Sequence, residues 1–177
     1  MKSDFLQREP SQAEREAWRA QLAMPPATRA TGLVTLFVVR CGDERIGIDP
    51  TVVGSVMPEG VTHSIPHRGA MLAGLANVRG ALTLCFSLRH LLGCDRAAEP
   101  GQGMWMVLQH RGWRVACRID AAIGMRAYDP AKRVEVPATM RTPASVRVLG
   151  LFPDPEIGDI AWLDADSLFN AFENSAR

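Results

Sequence analysis

Catalysis in a chain of this kind needs a nucleophile beside a base, a cluster of metal-ligating side chains, or a loop that cradles phosphate. The residues able to supply these are few. Four cysteines, Cys41, Cys85, Cys94 and Cys117, and four histidines are scattered along 177 residues. No two cysteines form a C-x-x-C pair, and three lie in or beside apolar runs, where a thiol acts as a small hydrophobe suited to a reducing compartment. His63 and His67 are four apart, but Pro66 between them breaks any shared helix face. No metal and no cofactor is expected. Asp164 and Asp166 share one short segment, where Asp is the usual helix cap. With no G-x-S-x-G, H-E-x-x-H, G-x-G-x-x-G or Walker-type loop in the sequence, the expectation is a protein that is not an enzyme.

Recognition is the remaining chemistry, and one stretch is built for it. In Gly74-Leu75-Ala76-Asn77-Val78-Arg79-Gly80 a polar, positively charged tip is held between two glycines, which read as hinges at Gly74 and Gly80. The tip feeds an apolar run, Ala81 to Leu88, that reads as a buried strand. A second candidate is Arg111, Arg114 and Arg118 with Trp113, a possible basic stripe for single-stranded nucleic acid on a small barrel. Alternation puts Arg114 and Arg118 opposite Trp113, Val115 and Cys117, so the stripe also reads as a solvated strand face. Twenty Lys+Arg against nineteen Asp+Glu give a formal charge of +1, so no global field draws the chain to nucleic acid or an anionic membrane. The sequence has no apolar run near the eighteen or so residues of a membrane span, and Met1 to Phe5 opens a polar segment; a cytoplasmic location is expected.

The elements that must carry these residues fall into an extension and a duplicated body. Residues 1–32 hold a capping box, Ser11 to Glu14, and Ala17, Trp18, Leu22 and Ala23 at helical spacing before Pro25-Pro26. This predicts an N-terminal amphipathic helix that docks either on the main domain or on a partner. From residue 33 to 177 the pattern is short strands and turns. Residues 36 to 54 are mirrored by 105 to 124, Leu72 to Leu75 by Val148 to Leu151, and Leu84 to Leu92 by Ile160 to Phe169. A repeat of roughly 70 to 77 residues is too long for a solenoid unit, and each copy holds about five short strands, enough for a small barrel. The predicted fold is mainly β: two tandem five-stranded antiparallel barrels sharing a core, about 34–100 and 101–173, with short helices and room for elements to be exchanged between them. In the second copy Phe152 to Glu156 replaces the Asn-Val-Arg-Gly tip, an asymmetry that favours a functional role for Arg79.

Three segments in order carry a family resemblance: G-I-D-x-x-x-V at Gly47 to Val53, G-L-A-N-V-R-G at Gly74 to Gly80, and S-L-R-H-L-L-G at Ser87 to Gly93, with a closing Leu163-Asp164. Over about residues 34–173 the chain resembles the CheW-like adaptor domain of bacterial chemosensory arrays. The resemblance implies a coupling protein that bridges the cytoplasmic tip of methyl-accepting chemoreceptors and the regulatory domain of a CheA-type histidine kinase, at membrane-associated arrays. It implies receptor-binding roles for Arg79 and its neighbours Asn77, Val78 and Gly80, and for Val53 and Ser55. Three departures from the family's common pattern suggest a specialised paralogue: Ser55 stands where many members have Glu, Ser87 where many have Asp, and the N-terminal helix is an addition.

Overall fold

The computed structural model describes residues 12, 32–66, 71–93, 103–137 and 146–176. The chain divides into units 1–32 and 33–177, and every described strand belongs to the second. The helix expected in the extension lies outside the described residues.

Eleven strands and two short α-helices are described: β1 Val34–Cys41, β2 Glu44–Ile48, β3 Val53–Pro58, β4 Thr62–His63, β5 Leu72–Val78, β6 Ala81–Ser87, α1 Leu88–Leu92, β7 Met104–His110, β8 Trp113–Ile119, β9 Ala121–Tyr128, β10 Val148–Phe152, β11 Ile160–Leu163 and α2 Ala165–Ala176. Local chemistry sets many of the boundaries. The Asp49 carboxylate accepts from the amide of Thr51 to start a 3₁₀ turn with Pro50 at its first position. Ser87 caps α1 by accepting from the amide of His90, and Gly93 ends that helix in the left-handed region.

The strands form two sheets, ordered β10-β11-β2-β1-β9 and β3-β7-β8-β6-β5-β4. This differs from the expected pair of closed antiparallel barrels in two ways. The hydrogen-bonded order of each sheet has two ends, and each sheet contains one parallel pair, β2 with β11 and β6 with β8. The sheets do not follow the halves of the sequence either. Hairpin β1-β2 lies in the sheet of β9, β10 and β11, and hairpin β7-β8 in the sheet of β3 to β6. Each copy therefore gives its first hairpin to the other, and the copies join at two pairs in each sheet, one parallel (β2-β11, β6-β8) and one antiparallel (β1-β9, β3-β7).

The main core takes Val39, Ile46 and Ile48 from the first sheet, Phe86, Leu108 and Val115 from the second, and Phe172 from α2. The six-stranded sheet buries its other face too. Ala76, Val78, Cys85, Trp105, Val107 and Ala116 form a second, small core, against which Met57 of β3 and Ala73 of β5 also pack. Strands near both ends of the sheet thus close on one cluster, so the sheet is curled around it. Burial pushes the Cys85 thiol up to about 11, as an unreactive core residue requires.

Gly74 is not a hinge. It lies within β5, at a bulge where Leu72 pairs with Phe86 but Gly74 with Cys85. Its φ is +143°, and a Cβ there would sit 2.2 Å from the carbonyl oxygen of His63 in β4. Gly150 repeats the bulge in β10, where a Cβ would meet Arg133. Gly80, in contrast, has open space around it and only a positive φ of +83°. Gly74→Ala is expected to cost about 3 kcal/mol, from backbone clash plus an unfavourable φ, against about 1 kcal/mol for Gly80→Ala. Urea unfolding midpoints of the two variants check the ranking; equal losses would remove the close-approach account.

Candidate functional site

Arg79 and Gly80 are the two-residue loop of hairpin β5-β6, whose last cross-strand pair is Val78 with Ala81. Both have positive φ, 54° and 83°, as a type I′ turn requires. Asn77 stabilises the turn, its Oδ1 accepting from the amide of Gly80 at 2.8 Å. Arg79 holds the left-handed region at a cost of about 1 kcal/mol for a residue with a Cβ. Its side chain is exposed at the tip.

The turn has a counterpart that sequence alignment of the two copies does not reveal. Arg111 and Gly112 join β7 to β8 with φ of 49° and 81°. Because β6 and β8 run parallel, with Leu84 opposite Val115, both hairpin tips lie at the same end of the sheet. Arg79 therefore cannot be singled out by turn type; the tips differ in their partners. Arg111 reaches Asp166 of α2 at 3.0 Å, and His110 Nε2 lies 2.5 Å from the same carboxylate. The hydrogen bond with His110 and the charge of Arg111 hold the Asp166 carboxyl below its usual value. Asp164 is the helix cap, accepting from the amide of Ser167 at 3.1 Å. The capping role expected for both acids belongs to Asp164; Asp166 binds the second tip.

The other expected site residues lie within strands of the same sheet. Val78 is 1 % exposed in the small core, so it fixes the tip from below and presents no side chain to a partner. Val53 and Ser55 lie on β3, an end strand, with β7, β8 and β6 between it and β5 in the hydrogen-bonded order. Val53 and Val56 pack against the main core, and Ser55 is half-buried. The curl of the sheet brings the two strands back toward each other, since Met57 of β3 and Ala73 of β5 pack on the same small core. One residue goes unmarked in the sequence: Leu82, the cross-strand partner of Asn77, is 72 % exposed. The apolar run 81 to 88 reads as uniformly buried, yet its first two residues overhang the core. Period two gives no warning, since Leu82 shares a face with Leu84 and buried Phe86.

The basic stripe on β8 is absorbed by the protein itself. Arg114 and Arg118 share the parity of Ala116, which faces the small core, so they flank the inside of the curled sheet instead of forming a solvated face. Arg114 donates to Val78 O at 3.2 Å and Thr83 Oγ1 at 3.0 Å. Arg118 donates to Glu59 at 2.9 Å. With Arg111 on Asp166, all three cations have intramolecular partners. A cleft lined by His110, Arg111, Trp113, Asp166 and Phe169 has a volume of about 130 Å³, below the ~300–1,000 Å³ of small-molecule sites. Among the described residues no group of three or more His, Cys, Asp or Glu could hold a metal, and no helix is long and apolar enough to cross a membrane; His67 lies outside them.

A family model for the CheW-like domain matches residues 35–173, most of the chain. The chain belongs to the CheW-like domain family. The fold agrees: the crystal structure of the scaffolding protein TtCheW from Thermoanaerobacter tengcongensis superimposes with a TM-score of 0.66 at 17 % identity, over 80 % of this chain and 90 % of that one. No curated protein sequence matches. In this CheW-like domain the charged residue exposed at the Asn77–Gly80 turn is Arg79.

Proposed function

We propose that this CheW-like protein is a non-enzymatic cytoplasmic adaptor that couples methyl-accepting chemoreceptors to the regulatory domain of a CheA-type histidine kinase at membrane-associated arrays. Family membership over residues 35–173 supports the class. The observation that carries the site is the presentation of exposed Arg79 on a type I′ turn pinned by Asn77. In this reading Asn77, Arg79, Gly80 and exposed Leu82 meet the receptor's helical tip, Arg79 giving register and Leu82 apolar contact. Val78 supports them from the small core, and Val53 and Ser55 extend the receptor face from β3. Ser55 in place of the family's usual Glu marks a specialised paralogue with a receptor preference of its own. Residues 33–177 act as the adaptor unit, and 1–32 are an added segment.

Arg79→Glu is expected to weaken binding to a soluble receptor signalling-tip fragment at least 30-fold, the loss of a hot-spot contact worth about 2 kcal/mol, while the circular dichroism spectrum and unfolding midpoint stay within error. Unchanged affinity, measured by isothermal titration, would remove Arg79 from the receptor face.

A further inference from the structure

We propose that Arg114 is a positioning residue for the Arg79 turn: it braces both strand ends that flank the turn and sets the direction in which the Arg79 side chain is presented. The inference rests on the receptor reading of Arg79 for its consequence in binding, but the brace itself is a matter of structure.

Arg114 lies on β8, with β6 between it and β5, and its guanidinium reaches back across β6. One nitrogen donates to the carbonyl of Val78, the residue immediately before Arg79. Another donates to Thr83 Oγ1. That hydroxyl, on a side chain that is 2 % exposed, donates in turn to the carbonyl of Ala81, the residue immediately after Gly80. One charged fork therefore holds the backbone on the entry side directly and on the exit side through a single hydroxyl. Hydrogen bonds from a cation are shorter and stronger than neutral ones, and a planar fork can serve two acceptors at fixed angles where an ammonium cannot. The turn needs such support. A non-glycine residue at φ 54° relaxes unless its surroundings hold it, and Asn77 secures the turn only locally, through Gly80. The comparable tip at Arg111 has a different support, contact with Asp166 on α2. The two arginine tips at one end of the sheet thus differ in kind: Arg111 is anchored by its own side chain, whereas at the first tip a second arginine holds the backbone beneath Arg79.

The experiment uses the full chain and two readouts: hydrogen exchange of the Gly80 amide by NMR, which needs no partner, and affinity for a soluble receptor signalling-tip fragment. Arg114→Met is expected to speed Gly80 exchange about tenfold and weaken binding about tenfold. In an Arg79→Ala background it should cause no further loss of affinity, because Arg114 acts through Arg79. Arg114→Lys, which keeps charge but not the fork, should fall between, and Thr83→Val, which cuts only the link to Ala81, should move Gly80 exchange the same way by a smaller factor. Gly80 exchange unchanged in both Arg114 variants would overturn the brace, as would an Arg114→Met binding loss that adds fully to that of Arg79→Ala. If Arg79→Ala itself leaves affinity intact, the receptor reading fails, and Gly80 exchange alone then decides whether Arg114 sets the turn.

Discussion

Asp120→Ala is expected to lower the unfolding free energy by about 3–5 kcal/mol, the usual result of stripping one partner from a buried ion pair, and the melting temperature by about 10 °C. Asp120 sits where β8 leaves one sheet and β9 enters the other. Its Oδ2 accepts from the amide of Gly42 in the β1-β2 turn and from Arg89 of α1, each at 2.5 Å, and both side chains are nearly buried, 11 % and 15 % exposed. Its own amide donates to the carbonyl of Arg40. One carboxylate thus ties a turn of the first sheet to the helix that follows β6 of the second. The alanine variant removes the carboxylate that Arg89 faces, so the two residues should be coupled: Asp120→Ala is expected to cost less in an Arg89→Met chain than in the natural one. Additive losses in urea unfolding would mean that the two residues act independently.

The same carboxylate gives the fold an acid sensitivity whose sign is fixed. Burial alone would raise its pKa, but hydrogen bonds from Arg89 and the Gly42 amide, with the charges of Arg89 and Arg40, bring it below the usual carboxylate value. A depressed folded pKa stabilises the native state above the unfolded value of about 4, and the contribution is lost as pH falls through the folded value. The stability gap between the natural protein and Asp120→Asn should therefore be full at pH 6 and shrink below pH 4. A gap that stays constant on acidification would contradict the pairing.

Phe172→Ala is the second large effect, about 4 kcal/mol on unfolding. Phe172 is fully buried, stacked on Phe86 with ring centroids 4.7 Å apart and edge-on to Phe169 at 5.8 Å. α2 has twelve residues, too few to be stable alone in water, so its helicity depends on the face formed by Leu168, Phe169 and Phe172. Although α2 follows β11 of the first sheet, Phe172 meets β6 of the second. Loss of that contact should release the helix and, with it, the Asp166 anchor of the Arg111 tip. Hydrogen exchange of α2 amides in Phe172→Ala should rise before global unfolding; uniform protection with a loss under about 1 kcal/mol would refute the dependence.

Particular residues show how far the sequence reaches. Gly42 and Gly80 mark hairpins because few other residues accept positive φ, and Asp49-Pro50 and Ser87 mark helical turns because their caps act within three residues. The G-L-A-N-V-R-G and S-L-R-H-L-L-G segments are local in the same sense, and they place the chain in its family. Leu82 escapes because an apolar run does not say where the core beneath it stops. Arg114 and Arg118 mislead because period two distinguishes the faces of a strand without saying which one meets water, and the curled sheet buries both.

The sequence by itself therefore determined the turns, the caps, the duplication and the family, all of which rest on chemistry within a few residues or on a pattern compared with itself. Only the tertiary structure decided that each copy lends its first hairpin to the other, that β6 and β8 lie side by side in parallel, and that Arg114 consequently stands under the Val78 carbonyl. These depend on pairing between segments about thirty or more residues apart, which is selected by the shared core and not by any preference of the residues paired.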